Sequence, residues 1–435
     1  MNRKQRAAAA LKQTGLFPLS TRDVQRALEE PEQHHEGDLA LSCIPASRQL
    51  QRTAVELAAE TAAALEDFPW ITAEADGHRV FLRFHRPVVG DWVLQHADDP
   101  DYGRSTTERP QTAAVVLGTS RDLDMPEWAD LRAAAVTQSL LRLADNGGWT
   151  SIRAEKAASW EVDFGLHDEK TKEPSEEPAA RVIQQLMEQE LITRTEEGYA
   201  VPLSGLPPLL LYSRDAAEGE ARALAAVVAR KEQLDFDVLL DVSDNRRQLH
   251  IEQLRQVLRQ GGWPWGGQLE HVGISEVQSR YTPTDLLKRT RELFPDAKQA
   301  AGVLLFHLLL PDRMDRPPLT PHLLGEDRGG RYIQQTYNEV CYSVSEGRAD
   351  GSAWPDAVWR VVCRIDDFPE TAKTAWERRQ PSLLAALMLN LAEAVRAVPP
   401  EAWEDADHRL PEAACRVLRR GMFLLGVELE VRAGK

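Results

Sequence analysis

The chain has little cysteine. Only four of its 435 residues are cysteines, at positions 43, 341, 363 and 415, and no two of them form a Cys-x-x-Cys pair. This spacing argues against a zinc site and against a fold built on disulfides. We therefore predict a protein of a reducing cytosol with no metal bound.

Long hydrophobic runs are also missing. The longest apolar stretch covers residues 300–310, is interrupted by His307 and is too short to span a bilayer. The first residues are basic and then alanine-rich, without the apolar core of a signal peptide. From these features we expect a soluble, cytoplasmic protein that does not bind membranes.

An excess of positive charge is absent too, because the formal net charge is −16. A protein with this negative charge repels phosphates, which disfavours binding of nucleic acid through phosphate contacts. Residues 371–435, however, hold ten Lys and Arg against nine Asp and Glu, so the acidity is confined to the preceding part. A local basic surface near the end of the chain would still permit RNA binding.

What is present is a strand, a helix and a strand in succession. The apolar run 113–117 predicts a strand, and Gly118 begins the turn after it. Asp124 and Glu127 have the spacing of a capping box, which predicts a helix from there to Asn146 and a second strand from Trp149. In such a βαβ unit the helix begins at the carboxyl edge of a parallel sheet, where nucleotides bind.

The residues of this stretch resemble the core of arginyl-tRNA synthetases, which are class I enzymes. The resemblance rests on the strand 115–117, the Asp-Leu-Arg at 130–132, the helix ending at Gly148, and Ser-Trp-Glu-Val-Asp-Phe-Gly at 159–165. It extends along the chain and implies a Rossmann-like α/β core, a small N-terminal α+β domain and a C-terminal all-α bundle. The family's domain order implies an N-terminal tRNA-elbow domain over 1–105, a core over 106–325 with an insertion near 178–203, and a helical anticodon-binding domain over 326–435.

The family's first signature, His-x-Gly-His, is replaced in this chain. The four aligned positions hold Glu127, Trp128, Ala129 and Asp130. Two carboxylates at a helix N-terminus satisfy its dipole and would repel a triphosphate. The pattern favours a capped structural helix that binds no ligand, because the capping pattern is complete by itself. The resemblance also implies nucleotide-pocket positions at Gly118, Thr119, His250 and His271.

The positions implied for the amino-acid pocket have lost the family's ligands. They are Val116, Arg121, Trp160, Gly219 and Ala223, and Arg247 replaces a glutamine of the family. A bound guanidinium needs acceptors, which these side chains do not provide. We therefore expect that L-arginine is not the ligand.

The second signature, a lysine-bearing loop that contacts the departing phosphates, should follow residues 269–273. The chain continues almost directly into Tyr281-Thr-Pro, so this loop is expected to be deleted, with Arg280 as the nearest cation. Between the two signatures, the strand candidates 209–211 and 238–242 are predicted to complete the parallel sheet, with His250 on its next strand.

RNA-binding candidates come from the first and last domains. Aromatic strand residues can stack on bases, although they are more often core, and clustered arginines can contact phosphates. The candidates are Phe81, Arg83, Phe84, Tyr332, Gln334, Arg378, Arg379, Arg416, Arg419 and Arg420. Arg416, Arg419 and Arg420 share one helical face by spacing, which could equally be a solvated basic face.

Three functions remain open from the sequence. The first is a catalytically degenerate synthetase paralogue that binds tRNA or a protein partner in an accessory or regulatory role. The second is an interaction protein without RNA, and the third is an arginine–tRNA ligase or another adenylating enzyme. No cofactor is expected, and ATP with magnesium would be used only if synthetase activity remains.

Overall fold

The structure is a computed structural model that describes residues 1–31, 37–107, 109–118, 128–154, 176–196, 198–213, 219–294, 296–325, 329–344 and 354–429. Two compact units are formed from separate stretches of chain. Unit 1 comprises Met1–Tyr102, Asn338–Glu370 and Asn390–Val417, and unit 2 comprises Gly103–Tyr337, Thr371–Leu389 and Leu418–Lys435. The predicted domain boundaries at 105 and 325 stay predictions.

Unit 1 begins with a small α+β fold. Its elements are α1 (Arg3–Gln13), α2 (Thr21–Ala27), β1 (Leu28–Glu29), β2 (Leu39–Ser42), α3 (Ile44–Leu50), α4 (Ala54–Ala64), β3 (Ile71–Asp76), β4 (Arg79–Phe84) and α5 (Arg86–Ala97). The strands form an antiparallel sheet in the order β1-β2-β4-β3.

The burial of strand β4 alternates along the chain, as expected for a sheet with one face on the core. Val80, Leu82 and Phe84 are buried, whereas Arg83 is exposed. The turn before β4 contains Gly77 at a φ of +55°, a conformation that glycine adopts without steric cost.

A buried cluster of charges joins α1 to the rest of unit 1. The Arg3 guanidinium, with 2 % of its side chain exposed, lies 2.8 Å from a carboxylate oxygen of Glu30 and 3.3 Å from Asp367. The backbone N–H of Arg3 donates to Asp366 at 2.7 Å. Burial raises the pKa of Asp366 to about 6, although Arg3 opposes the rise. The pKa of Glu30 is lowered to about 2 because Arg364 and Arg3 outweigh the effect of burial.

These two shifts predict opposite dependences of stability on pH. A carboxyl whose pKa rises on folding favours the folded state while it is protonated, so its contribution falls as pH rises from about 4 to about 6. Relative to the parent, the free energy of unfolding of Asp366→Asn should rise by on the order of 2–3 kcal/mol between pH 4 and pH 7. Urea denaturation of both proteins at the two pH values measures this difference. A constant difference would contradict the assignment, and Glu30 cannot mimic the effect because its own contribution grows as pH rises.

Unit 2 contains the predicted parallel sheet. Its elements are β5 (Thr112–Gly118), α6 (Trp128–Asn146), β6 (Thr150–Arg153), α7 (Glu176–Glu188), β7 (Thr193–Arg194), β8 (Gly198–Leu203), β9 (Leu206–Ser213), α8 (Gly219–Leu234), β10 (Val238–Asp244), α9 (Gln248–Gln260), β11 (Leu269–Ile274), α10 (Pro283–Leu293), α11 (Ala297–Leu309) and α12 (Pro321–Gly325). The parallel strands have the order β11-β10-β5-β6.

The remaining helices follow in the last quarter of the chain. They are α13 (Gly330–Val344), α14 (Asp356–Glu377), α15 (Ser382–Arg396), α16 (Pro400–Glu404) and α17 (Arg409–Leu424). The predicted all-α character of this region is confirmed for the part that the structure describes. None of the described helices is both long and apolar enough to cross a membrane.

The βαβ unit at 112–153 has the predicted form. Strand β5 is apolar and buried, α6 ends at Asn146, and Gly148 turns the chain at a φ of +80° into β6. A side chain at Gly148 would meet the carbonyl oxygen of Ser105 at 2.7 Å, so glycine is needed there for both reasons. The predicted start of α6 at 124–127 lies outside the described residues.

The strand predicted at 209–211 exists, but its predicted place in the parallel sheet is wrong. Strand β9 pairs antiparallel with β8, which pairs with the short β7, in a separate three-stranded sheet. An apolar run identifies a buried strand without identifying its partner. Leu209 and Leu211 are buried in the core between this small sheet and the helices α7, α8 and α9.

The cysteine spacing argued against a fold built on disulfides, and the structure contains a single disulfide bond among the four cysteines. Cys341 on α13 and Cys415 on α17 are bonded, with 5.9 Å between their Cα atoms and 74 residues between them in the sequence. The pair could not be predicted from the sequence, because only the packing of the two helices brings the thiols together. Cys43 and Cys363 are buried free thiols.

Candidate functional site

Small residues lie side by side where three parallel strands reach their carboxyl ends. Gly118 on β5 pairs with Ser243 on β10, and Ser243 pairs with Gly273 on β11. Ligands of open α/β sheets bind at this edge, beside the point where the strand order reverses. The row therefore marks the candidate site, and it includes the predicted nucleotide-pocket residue Gly118.

Arg247 covers the first part of this row. A Cβ atom at Gly118 would lie 2.3 Å from Nη1 of Arg247 and 2.7 Å from Cβ of Ser243. The same guanidinium nitrogen is 3.8 Å from Oδ1 of Asp241, a carboxylate that is 8 % exposed. Because position 118 has no side chain, the Arg247 guanidinium can pack against the backbone of β5.

Asp241, Ser243 and His271 form a polar chain across β10 and β11. The hydroxyl of Ser243 donates to Oδ1 of Asp241 at 2.5 Å, and Nε2 of His271 lies 3.2 Å from the same hydroxyl. Burial lowers the pKa of His271 more than the nearby Asp241 raises it. A neutral imidazole beside a fully buried serine fits a hydrogen-bonding wall of a pocket.

His250 does not lie on a strand, contrary to the prediction, but in the first turn of helix α9. The chain leaves β10 at Asp244, whose carboxylate accepts the backbone N–H of Arg246, and turns at once into α9. Nδ1 of His250 lies 3.1 Å from a carboxylate oxygen of Glu220 at the start of α8. Burial lowers the pKa of His250, and Glu220 opposes this.

The first described turn of α6 is tied to the chain after β11. The indole N–H of Trp128 donates to the carbonyl oxygen of Tyr281 at 2.8 Å. Ala129 and Asp130 are buried, with 6 % and 8 % exposure. Glu127 lies outside the described residues.

The guanidinium groups of Arg280 and Arg289 lie about 5 Å from the centre of the Tyr281 ring. Arg280 also donates to the Tyr281 hydroxyl at 3.0 Å. Both arginines are exposed.

The positions implied for an amino-acid pocket are only partly described. Val116 is buried in β5, Gly219 begins α8, and Ala223 is half-buried on α8. Arg121 and Trp160 lie outside the described residues, as does the nucleotide-pocket position Thr119. The amino-acid pocket therefore stays a prediction.

Sequence reasoning assigned no role to Arg132, which is the most connected buried cation of unit 2 among the described residues. It is fully buried on α6 and donates to six backbone carbonyl oxygens at 2.7–3.4 Å. The carbonyls belong to Ser275, Leu308, Pro311, Asp312, Arg313 and Asp315. Arg132 thereby fixes the chain after β11 and after α11 against the helix of the site.

A cavity of about 580 Å³ lies along the outer side of β11 and against α9. His271 forms part of its wall, together with Asn245, Gln248, Glu252 and Arg255. Its charged groups are paired within the chain, as in the 2.8 Å ion pair between Arg255 and Glu252. Its size is within the range of small-molecule sites, and polar and apolar atoms contribute about equally to its lining.

The predicted RNA-binding residues of the first domain differ in exposure. Arg83 is exposed and Phe81 is half-buried. Phe84 is 3 % exposed, and its ring stacks at 6.1 Å on Trp70, so it is a core residue as the alternative supposed.

The predicted residues near the end of the chain also divide into two groups. Arg378 and Arg419 are exposed, and Tyr332 and Gln334 are half-buried. The other arginines have partners within the chain: Arg379 with Glu270 and Trp376, Arg416 with Asp98 and the Ala97 carbonyl, and Arg420 with Asn146.

Comparison with known proteins gives the same family along the whole chain. Arginine–tRNA ligase 1 of Bacillus cereus is 23 % identical, over 98 % of this chain and 99 % of the relative. Arginine–tRNA ligase of Exiguobacterium sp. is 22 % identical with the same coverage. The first alignment has 557 positions, more than the 435 residues of this chain, so it contains gaps in this chain. No family model matches the chain.

Solved structures show the same fold. Arginyl-tRNA synthetase of Plasmodium falciparum superposes with a TM-score of 0.80 at 12 % identity, over 99 % of both chains. The Thermus thermophilus enzyme gives 0.73 at 15 % identity, over 97 % of this chain and 98 % of that one. The predicted fold class is confirmed: a Rossmann-like parallel-sheet core, a small N-terminal α+β part and C-terminal helices.

Proposed function

Because this chain belongs to the arginyl-tRNA synthetase family, we propose that it is a catalytically degenerate member that binds tRNA in an accessory role. The proposal has two parts, loss of adenylation and retention of RNA binding. Each part rests on different residues and has its own test.

The loss of adenylation rests above all on Arg247. Its guanidinium covers Gly118 beside the buried Asp241, at the crevice where a ligand of this fold binds. A cation held there repels a second cation, such as the side chain or amino group of arginine. Arg247 thus places a positive charge of the chain itself at this crevice.

The start of α6 supports the same conclusion. Transfer of an adenylyl group depends on positive charges and N–H donors that are positioned in advance around the phosphates. Here the Trp128 indole donates to a backbone carbonyl, and Asp130 is buried in the first turn. These residues do not fit a triphosphate, so no reaction step is assigned to ATP.

Retention of RNA binding is supported by the extent of the homology. The similarity covers 98 % of this chain rather than the central sheet alone. Among the predicted RNA contacts, Arg378 and Arg419 belong to unit 2 and have exposed side chains, so both can reach a phosphate backbone.

We therefore expect the double variant Arg378→Glu, Arg419→Glu to bind tRNA more weakly and with a lower salt dependence. Each lost phosphate contact should reduce the slope of log K against log salt by roughly 0.9, giving about 2 for the pair. Gel shift of bulk tRNA at several salt concentrations measures the slope.

Arg194→Glu is a matched control, because Arg194 is an exposed cation on the small antiparallel sheet. If Arg194→Glu lost as much tRNA affinity per reversed charge as the double variant, the effect would come from net charge and not from a specific RNA site. Absence of tRNA binding by the parent protein at low salt would refute the RNA part and leave an interaction protein. Sequencing of RNA that copurifies with the protein would identify the tRNA.

A further inference from the structure

We propose that Cys341 and Cys415 form a reversible redox modification site, closed and opened by exchange with small disulfides and thiols of the glutathione class. The geometry carries this inference. The two Cα atoms are 5.9 Å apart, within the range that a disulfide spans, although 74 residues separate the cysteines. The inference does not depend on the proposed function.

Access distinguishes this pair from the other thiols. Cys341 and Cys415 are half-buried, so both residues are partly open to solvent. Cys43 and Cys363 are buried, and burial raises their pKa values to about 11 and about 12. Since the thiolate is the reactive form, these two cysteines should stay inert and serve as internal controls.

The chemistry needs only exchange. One of the two thiolates attacks a sulfur of glutathione disulfide, forming a mixed disulfide and releasing one glutathione thiolate. The second thiolate then attacks the protein sulfur of that mixed disulfide, and the second glutathione leaves. Two cysteine thiols are oxidised with loss of two protons, and one glutathione disulfide is reduced to two glutathiones.

The bond joins two walls of a cavity of about 180 Å³ in unit 1. Val340, next to Cys341, and Pro411, one helical turn before Cys415, both line it, together with Trp403 on α16. The ion pair of Arg396 with Glu339 at 2.9 Å is a second, non-covalent connection there. Opening the disulfide would leave α17 held against α13 by packing alone at this point, so the cavity walls should separate more often.

The test combines thiol labelling with amide hydrogen exchange on the full chain. After equilibration with glutathione disulfide, mass spectrometry should find the 341–415 link, and only Cys43 and Cys363 should label upon denaturation. Dithiothreitol should make Cys341 and Cys415 label in the native protein and speed amide exchange over residues 400–415 by about tenfold or more.

The variant Cys341→Ala, Cys415→Ala provides the control. It should exchange like the reduced parent and should not respond to dithiothreitol, while its circular dichroism spectrum shows that it is folded. Failure of the link to form under glutathione disulfide would overturn the proposal. So would a link that dithiothreitol opens only in denaturant, or an opening that leaves amide exchange unchanged.

Discussion

Replacing Arg132 with methionine is expected to lower the free energy of unfolding of unit 2 by about 3–5 kcal/mol, because it breaks a buried hydrogen-bond network. Methionine fills a similar volume but donates no hydrogen bond. Six backbone carbonyls that Arg132 now satisfies would lose its donors. Each unsatisfied buried acceptor has a cost, and the chain after β11 would lose its fixed position.

The charge of Arg132 persists at neutral pH. Burial lowers its pKa to about 10, with Asp312 and Asp315 opposing the fall. Lysine at this position would keep the charge but carry only three donors on a compact head, so Arg132→Lys should lie between the parent and Arg132→Met in stability.

Arg142 on the same helix offers a matched control. It is half-buried, bonds the Phe423 carbonyl and stacks on that ring at 4.3 Å. Arg142→Met should cost no more than about 1 kcal/mol. Urea denaturation of the three variants and the parent makes the comparison, and equal midpoints for Arg132→Met and Arg142→Met would contradict the expected role of Arg132.

Arg132 also shows where sequence reasoning stopped. The helix α6 was predicted from the capping-box spacing of Asp124 and Glu127, which is a local signal. The carbonyls that bind Arg132 lie in the chain from 275 to 315 and are brought together only by the fold. A signal was nevertheless present, because Arg132 interrupts the otherwise apolar run from Leu131 to Val136, and a cation in a buried helix needs acceptors.

The errors have the same physical origin. The apolar run of β9 predicted a strand correctly, but the choice between a parallel and an antiparallel partner depends on the short strands before it. His250 was assigned to the next strand of the sheet from the family resemblance, whereas Asp244 ends β10 and begins a turn into α9. Pairing of Cys341 with Cys415 required the packing of two distant helices.

The second large effect concerns catalysis. We expect the protein to lack adenylation activity, and we expect that restoring the family's signature residues does not recover it. Under conditions in which the Bacillus cereus ligase is active, this protein should catalyse arginine-dependent ATP–pyrophosphate exchange at least about 10³-fold more slowly. The expected factor is large because single positioned donors are each worth about 10²–10³ in rate, and more than one is replaced here.

A stepwise series separates the causes of this deficiency. Glu127→His with Asp130→His restores the two histidines of the first signature, and Arg247→Gln removes the guanidinium from Gly118 and restores the family's glutamine. We expect no recovery from either change, nor from the three combined, because Val116 and Ala223 supply no acceptor for an arginine side chain. Arg247→Gln should nevertheless leave the protein folded. The ion pair that it removes is long, with 3.8 Å between the guanidinium and the Asp241 carboxylate, and the Arg247 side chain is partly exposed. Exchange by the parent within about tenfold of the ligase would refute the proposed degeneracy, and recovery in Arg247→Gln alone would show that one side chain closes an otherwise competent site.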